Sequence, residues 1–374
     1  MDKGERAMKN DRIVERFLEY VQVDSETKNE GAFAKRLKED LEKLGFEVYE
    51  DNAGEKVGSN TGNLIATLGG NEGSETIMFS CHMDTVSPGN GIKPVVKDGV
   101  IYSDGTTILG GDDKAGIAAL LEAIVKMKEE NIDHCNIQFI FTIAEEGGLF
   151  GSKNLDYSKL KGNKCFVLDS GGDIGTIVTK GPAQDKISVV IKGKPAHAGV
   201  CPEEGISAIE IASKAISNMK LLRIDENTTA NIGKITGGVA TNIVCPEVKI
   251  EAEARSTVIE SLDEQTSHMV KTFKAVAESF GGVAEVDVER MYGEFVIEEN
   301  EEIVDMAKNA IKALGIEPIV ASTGGGSDTN IFNGNGIKSV NLSSGERAPH
   351  TLQEHVYIKD LEILRDLVIE LIKE

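Results

Sequence analysis

The feature that most constrains this chain is a change of rhythm near Ala183. Between residues 186 and 290 the apolar periodicities run strand, helix, strand, strand, helix, strand: alternation at 186–192, 231–236, 248–254 and 284–290, and helical spacing at 206–219 and 262–280. That order is the split βαβ unit of ferredoxin-like α+β folds. Before it, short β-rich runs at 47–49, 63–68, 76–80, 137–142 and 164–168 alternate with helical segments, the clearest at 114–128. After residue 294 the chain returns to a helix (303–314), a Gly-rich loop (324–328), a strand (339–342) and a helix (360–372). The flanks predict one α/β domain, residues 1–183 and 294–374, with a mixed central sheet flanked by helices. A smaller domain, 184–293, is inserted into it.

Two helical runs, 10–21 and 29–44, open the chain, and Gly45 stands where a C′ glycine ends the second. The length of 374 residues suits about two domains. With 62 acidic against 40 basic residues the net charge is −22, which repels phosphate backbones and anionic headgroups. Nucleic acid and membrane are therefore not expected partners. Five scattered cysteines, none in a Cys-x-x-Cys pair, suggest neither a disulfide framework nor a thiolate metal site. No signal-peptide h-region and no run of 18 apolar residues is found, so a cytoplasmic location is expected.

The chemistry gathers where predicted strands end, the place an α/β sheet puts its site. His82 and Asp84 lie two apart on an extended segment and so share a face; one suits a metal, the other its support. Asp112 and Asp113 follow Gly110-Gly111 and open the strongest helix. There a carboxylate can cap the helix or, on flexible backbone, reach a cation. Glu145 and Glu146 directly follow a very apolar strand, where dry charge is costly without a counter-charge. Asp169 follows another buried strand, and His350 sits in a loop beyond the last one. Each segment alone also suits a solvated turn or a cap. Together they offer two imidazoles and several carboxylates, a donor set for zinc, or for manganese or cobalt.

The ordered series His82-Met83-Asp84-Thr85, Gly110-Gly111-Asp112-Asp113-Lys114, Glu145-Glu146-Gly147-Gly148, Asp169 and His350-Thr351 resembles the aminoacylase and carboxypeptidase G family of di-zinc exopeptidases, in particular its tripeptidase T-like members. The resemblance spans nearly the whole chain, including the insertion. It implies that His82 and Asp169 bind one zinc, Glu146 and His350 a second, and that Asp112 bridges them. It further implies that Glu145 is the general base, that Asp84 fixes the His82 tautomer, and that the Asp112–Asp113 peptide is cis. His197 in the insertion would stabilise the oxyanion, often from the neighbouring subunit, while Asn242 and Arg255 would hold the carboxylate end of a peptide.

By the same resemblance the insertion acts as lid and dimerisation domain, and the expected partners are a short peptide and a second copy of the chain. Within that family an Asp at the position of Asp169 goes with aminopeptidases, and the likeness of the adjoining segment to tripeptidase T-like members implies release of the N-terminal residue from tripeptides. A deacylase or amidase of N-acyl amino acids, or a carboxypeptidase, on the same scaffold is the alternative. The 322–328 loop lacks the lysine and spacing of a phosphate loop and reads as a lining of the substrate cleft. Glu354 is expected to support the His350 loop.

Overall fold

The computed structural model describes the backbone from Lys3 to Glu374 and side chains from Arg12 onward. It resolves two compact units: Met1–Thr179 with Val296–Ser322 and Ser327–Glu374, and Lys180–Phe295 with Thr323–Gly326.

The first unit is organised on a nine-stranded mixed sheet, whose strand Thr176–Gly181 and edge strand Phe295–Val296 run on into the second unit. Its centre consists of four parallel strands in the order Asn136–Thr142, Thr76–His82, Lys164–Ser170, Lys338–Ser343. Antiparallel strands extend it on both sides: Leu64–Leu68 and Glu47–Glu50 at one end, Thr176–Gly181 at the other. Side chains alternate as period two requires. Ile77, Phe79 and Cys81 join Ile137, Phe139, Phe141, Phe166 and Leu168 in the main core, whereas Met78, Ile140, Cys165 and Val167 meet Phe332 and Ile337 in a smaller core. Both faces of the parallel strands are therefore covered, which is why these segments are near-continuous apolar runs. Helices Lys3–Val21, Gly111–Glu130 and Ile358–Ile372 pack together, and Glu122, 1% exposed, is neutralised by Arg12 and Arg16 Nε at 2.6 Å each.

Gly45 has φ +85 just past helix Gly31–Lys43, a left-handed conformation that favours glycine. The clearest predicted helix is longer than read, Gly111–Glu130, but Asp112 and Asp113 are non-helical, so regular helix begins at Lys114. The sequence reading contained no counterpart to a four-stranded sheet ordered Glu346–Arg347, His355–Tyr357, Val100–Ser103, Pro94–Lys97. These strands have two to four residues, too few for a period to show.

In the second unit strands Ala183–Lys192, Thr228–Gly237, Glu247–Ser256 and Val283–Tyr292 alternate with helices Ala208–Ser217 and Ile259–Ser279. The sheet is antiparallel and ordered Leu222–Arg223, Thr228–Gly237, Glu247–Ser256, Ala183–Lys192, Val283–Tyr292. Apart from the two-residue edge strand this is ferredoxin-like topology. Both helices bury one face on the sheet, with Ile211, Ala212 and Ala215 from one and Leu262, Met269 and Phe273 from the other. Thr323–Gly326, from the Gly-rich loop assigned to the larger domain on sequence, belongs to this unit. The Thr323 N–H donates to the Lys180 carbonyl (2.9 Å), and Gly326 lies so close to the Tyr292 ring that a Cβ would meet it at 2.2 Å.

Candidate active site

Each parallel strand delivers its acid or histidine at its carboxyl end, so local strand geometry alone collects the group. His82 is the last residue of Thr76–His82, Glu145 and Glu146 follow Asn136–Thr142, Asp169 is next to last in Lys164–Ser170, and the loop bearing His350 follows Lys338–Ser343. Asp112 arrives from the start of Gly111–Glu130, after Gly110 at φ +74, and the Asp112–Asp113 peptide is cis.

The Asp112 carboxylate has one oxygen on each imidazole. Its Oδ1 is 2.9 Å from His82 Nε2 and its Oδ2 is 3.2 Å from His350 Nε2. His350 Nε2 also lies 2.8 Å from Glu146 Oε1, and His82 Nε2 lies 3.9 Å from Asp169 Oδ1. Two sets result, His82 with Asp112 and Asp169, and Asp112 with Glu146 and His350, each with donor atoms within 4.8 Å of one another. A third set, His82 with Glu145 and Glu146, meets the same limit. Asp112 is common to the first two, so a pair of cations would share it.

The electrostatics show what such cations would relieve. Burial works against charge on Asp112, yet the two imidazoles hold its carboxyl well below the usual carboxylate range. Burial would depress His82, but bonds to Asp112 and Asp84 outweigh it and keep the imidazole well above its ordinary value. Bonds to Asp112 and Glu146 push His350 up to about 10. Burial, reinforced by neighbouring carboxylates, drives Glu145, Asp169 and Asp113 upward, and Glu346 to about 8. Buried acids are here packed beyond what two imidazoles neutralise. Carboxylate and imidazole donors in this excess fit divalent cations.

Asp84 departs from expectation in detail. His82 Nδ1 is closest to the Asp84 backbone carbonyl (2.9 Å), with the carboxylate Oδ1 farther, at 3.4 Å. The carboxylate, fully buried, instead receives the Glu145 N–H at Oδ1 (2.9 Å), and the Glu146 N–H (3.2 Å) and Thr27 hydroxyl (2.8 Å) at Oδ2. It grips the turn that presents both glutamates. Glu354 differs similarly: it accepts the Leu109, Gly110 and Asp112 N–H groups at 2.7, 2.9 and 3.1 Å, supporting the Asp112 loop.

Asp328, from the Gly-rich segment, accepts the Thr142 hydroxyl at 2.6 Å and the Ser152 hydroxyl, and is 2% exposed. The sequence carries no local sign of this role, since an acid opening a helix reads as a cap.

His197, Asn242 and Arg255 lie in the second unit. His197 and Asn242 sit on adjoining loops, joined by the Ala198 N–H to the Asn242 carbonyl (3.0 Å), and both side chains are exposed. Arg255 forks onto Glu253 with Nε at 3.1 Å and Nη2 at 3.0 Å, and points Nη1 at the Gly324 carbonyl (3.4 Å). A substrate carboxylate would have to compete with Glu253 for it.

No helix among the described residues is long and apolar enough to cross a membrane. All five cysteines are free. Residues 78–374 match the model of peptidase family M20/M25/M40. The chain is 50% identical to the uncharacterized protein YqjE of Bacillus subtilis, over 97% of this chain and 98% of that protein. Its structure resembles the crystal structure of aminopeptidase PepT from Bacillus cereus (48% identity, 97% of both chains, TM-score 0.89) and that of a tripeptidase from Staphylococcus aureus (46%, 97% of both, 0.94). With a family match over most of its length and with its acids and histidines gathered at the strand ends, the chain belongs to peptidase family M20/M25/M40, whose members are metal-dependent.

Proposed function

We propose that this protein is a cytoplasmic aminopeptidase that releases the N-terminal residue from short peptides, tripeptides above all, with two zinc ions per chain. Manganese or cobalt suits the same donors. The observation that carries the reading is the Asp112 carboxylate, divided between His82 and His350 at 2.9 and 3.2 Å, with Glu145 on the adjoining turn. The names of the two similar solved proteins, an aminopeptidase PepT and a tripeptidase, support the substrate class.

His82, Asp112 and Asp169 would hold one cation, and Asp112, Glu146 and His350 the other. Such ions supply Lewis acidity, lowering the pKa of water and polarising the scissile carbonyl. The chain's own part is proton traffic and orientation. A Glu145 carboxylate oxygen takes a proton from the attacking water and returns it to the departing amine. Its low solvent exposure, 8%, and its acidic neighbours raise its proton affinity above that of an ordinary carboxylate. The His82 tautomer is set by the Asp84 carbonyl, which leaves Nε2 for a ligand role.

The second unit would serve as lid and dimer contact, with His197 donating to the oxyanion from the partner subunit. Strand Thr228–Gly237 is bonded on its outer edge through its first residues, Thr228 to Ala230, and Ile235, Val239, Ile243 and Val200 of this unit are exposed. An open edge bearing apolar side chains favours association with a second copy. Solution mass tests this: a strict monomer at micromolar concentration removes both the dimer and action of His197 in trans.

The test of the activity is hydrolysis of an unblocked tripeptide beside its N-acetylated counterpart, by metal-loaded protein with and without chelator. Cleavage of the free peptide alone, abolished by chelator, is expected. Cleavage of only the acetylated peptide would shift the function to deacylation or carboxypeptidase action.

A further inference from the structure

The turn that carries Glu145 and Glu146 is built in an unusual way. Beyond Asn136–Thr142 its four successive amides, 143 to 146, each donate to a side-chain oxygen. Ile143 donates to Asn63 Oδ1 (3.0 Å), Ala144 to Glu30 Oε1 (2.9 Å), Glu145 to Asp84 Oδ1 (2.9 Å) and Glu146 to Asp84 Oδ2 (3.2 Å). Within this turn Ala144 has φ +48, a left-handed conformation costly for a residue with a Cβ. Something must hold it there, and the group bonded to its N–H is Glu30.

Glu30 is fully buried and fully used. Its Oε1 also accepts the N–H of Lys28, itself at φ +72, at 2.8 Å, and its Oε2 accepts the Ser59 hydroxyl at 2.7 Å. Three residues earlier, Thr27 bonds to Asp84, so the short segment between the first two helices reaches the base-bearing turn at two adjoining points. Among the described residues no cation pairs with Glu30, and its bonded partners there are donors of ordinary amide and hydroxyl type.

We infer that Glu30 is a positioning residue for Glu145: its Oε1 locks the left-handed turn at Ala144 and thereby sets the direction in which the next residue projects. It acts as an acceptor of fixed reach and its charge is incidental. The inference rests on the reading of Glu145 as the base.

Two conservative variants separate reach from charge. Glu30→Gln keeps the oxygen where it is, and its amide can donate to Ser59, whose hydroxyl rotates to accept. Glu30→Asp keeps the charge but withdraws the oxygen by one methylene. The measurements are kcat and KM for an unblocked tripeptide, metal ions bound per chain, and hydrogen exchange at the Ala144 amide in metal-free protein. Expected is a kcat within about threefold of the parent for E30Q and lower by roughly tenfold or more for E30D, since small misplacements of a reacting group carry costs of that size. KM and metal content stay unchanged in both, and the Ala144 amide loses protection only in E30D.

The reverse order of activity would mean that charge matters, and equal kcat in the two folded variants would mean that Glu30 only stabilises; either overturns the inference. Glu145→Gln is assayed alongside. If it stays active, the base assignment fails by itself; if it is inactive while E30D is not, only the role of Glu30 fails. The exchange measurement reads the turn even where no variant has activity.

Discussion

Replacing Asp84 by asparagine tests how the turn bearing Glu145 and Glu146 is held. The carboxylate accepts at both oxygens, from Glu145 N–H on one side and from Glu146 N–H and the Thr27 hydroxyl on the other. An asparagine offers one acceptor and one donor group of the same shape. With its oxygen in the Oδ1 position, Glu145 N–H is kept, Thr27 can rotate to accept, and Glu146 N–H faces an NH₂. With the oxygen at Oδ2, Glu145 N–H is the one abandoned. Either way one amide of the Glu145–Glu146 turn is left facing a donor, buried. A bond to a charged acceptor contributes about 1.5–3 kcal/mol, and the surviving bond drops to neutral strength, so a loss of roughly 2–4 kcal/mol is expected. The displaced turn should lower kcat by about 10²-fold. The His82 tautomer should survive, because it depends on the residue 84 carbonyl. Urea unfolding of the metal-free protein and steady-state kinetics of the loaded enzyme check both parts. A variant with parental stability and kcat within twofold would refute the idea that this carboxylate organises the turn.

His350→Ala removes the imidazole that lies on Asp112 and Glu146, and metal analysis should show the proposed pair of bound ions reduced to one with the fold retained. In the metal-free protein His350 titrates near 10, raised by Asp112 and Glu146; its pairing therefore stabilises the fold fully below about pH 6.5 and is lost as pH rises through 10. A cation must displace that proton, so metal affinity should rise with pH, and calorimetry in buffers of different ionisation enthalpy should detect proton release. Asp328→Asn should cost at most about 1 kcal/mol, because the Thr142 and Ser152 hydroxyls can rotate, whereas Asp328→Leu strands both and should cost about 3 kcal/mol by urea unfolding.

The parts of the site legible in sequence are those produced by local geometry. His82, Glu145, Glu146 and Asp169 each stand at the end of an apolar run, and a parallel strand places its last residues at the same rim as its neighbours. The ferredoxin-like unit was legible for the same reason, since its strands and helices have full periods. What sequence could not show is held across distance. Glu30 meets Ala144 114 residues away, Asp328 meets Thr142 across 186, and Glu354 meets Leu109 across 245, so nothing near any of these acids reveals its partner. For His82 and Asp84 the spacing in sequence leaves open which atoms of residue 84 meet the imidazole. The two-residue spacing permits a side-chain contact, but the backbone carbonyl came closer and freed the carboxylate for the neighbouring turn.

The occupied amides at 143 to 146 have a further consequence. In many acyl-transfer enzymes the turn bearing the catalytic group also lends its own N–H groups to the negative charge that develops on the substrate oxygen. Here those N–H groups already point at Asn63, Glu30 and Asp84. Those four amides have no donor to spare for an oxyanion. On the proposal that Glu145 is the base, abstracting the proton and receiving the charge therefore fall to different groups from these four amides, and a change that improves one has no structural reason to harm the other.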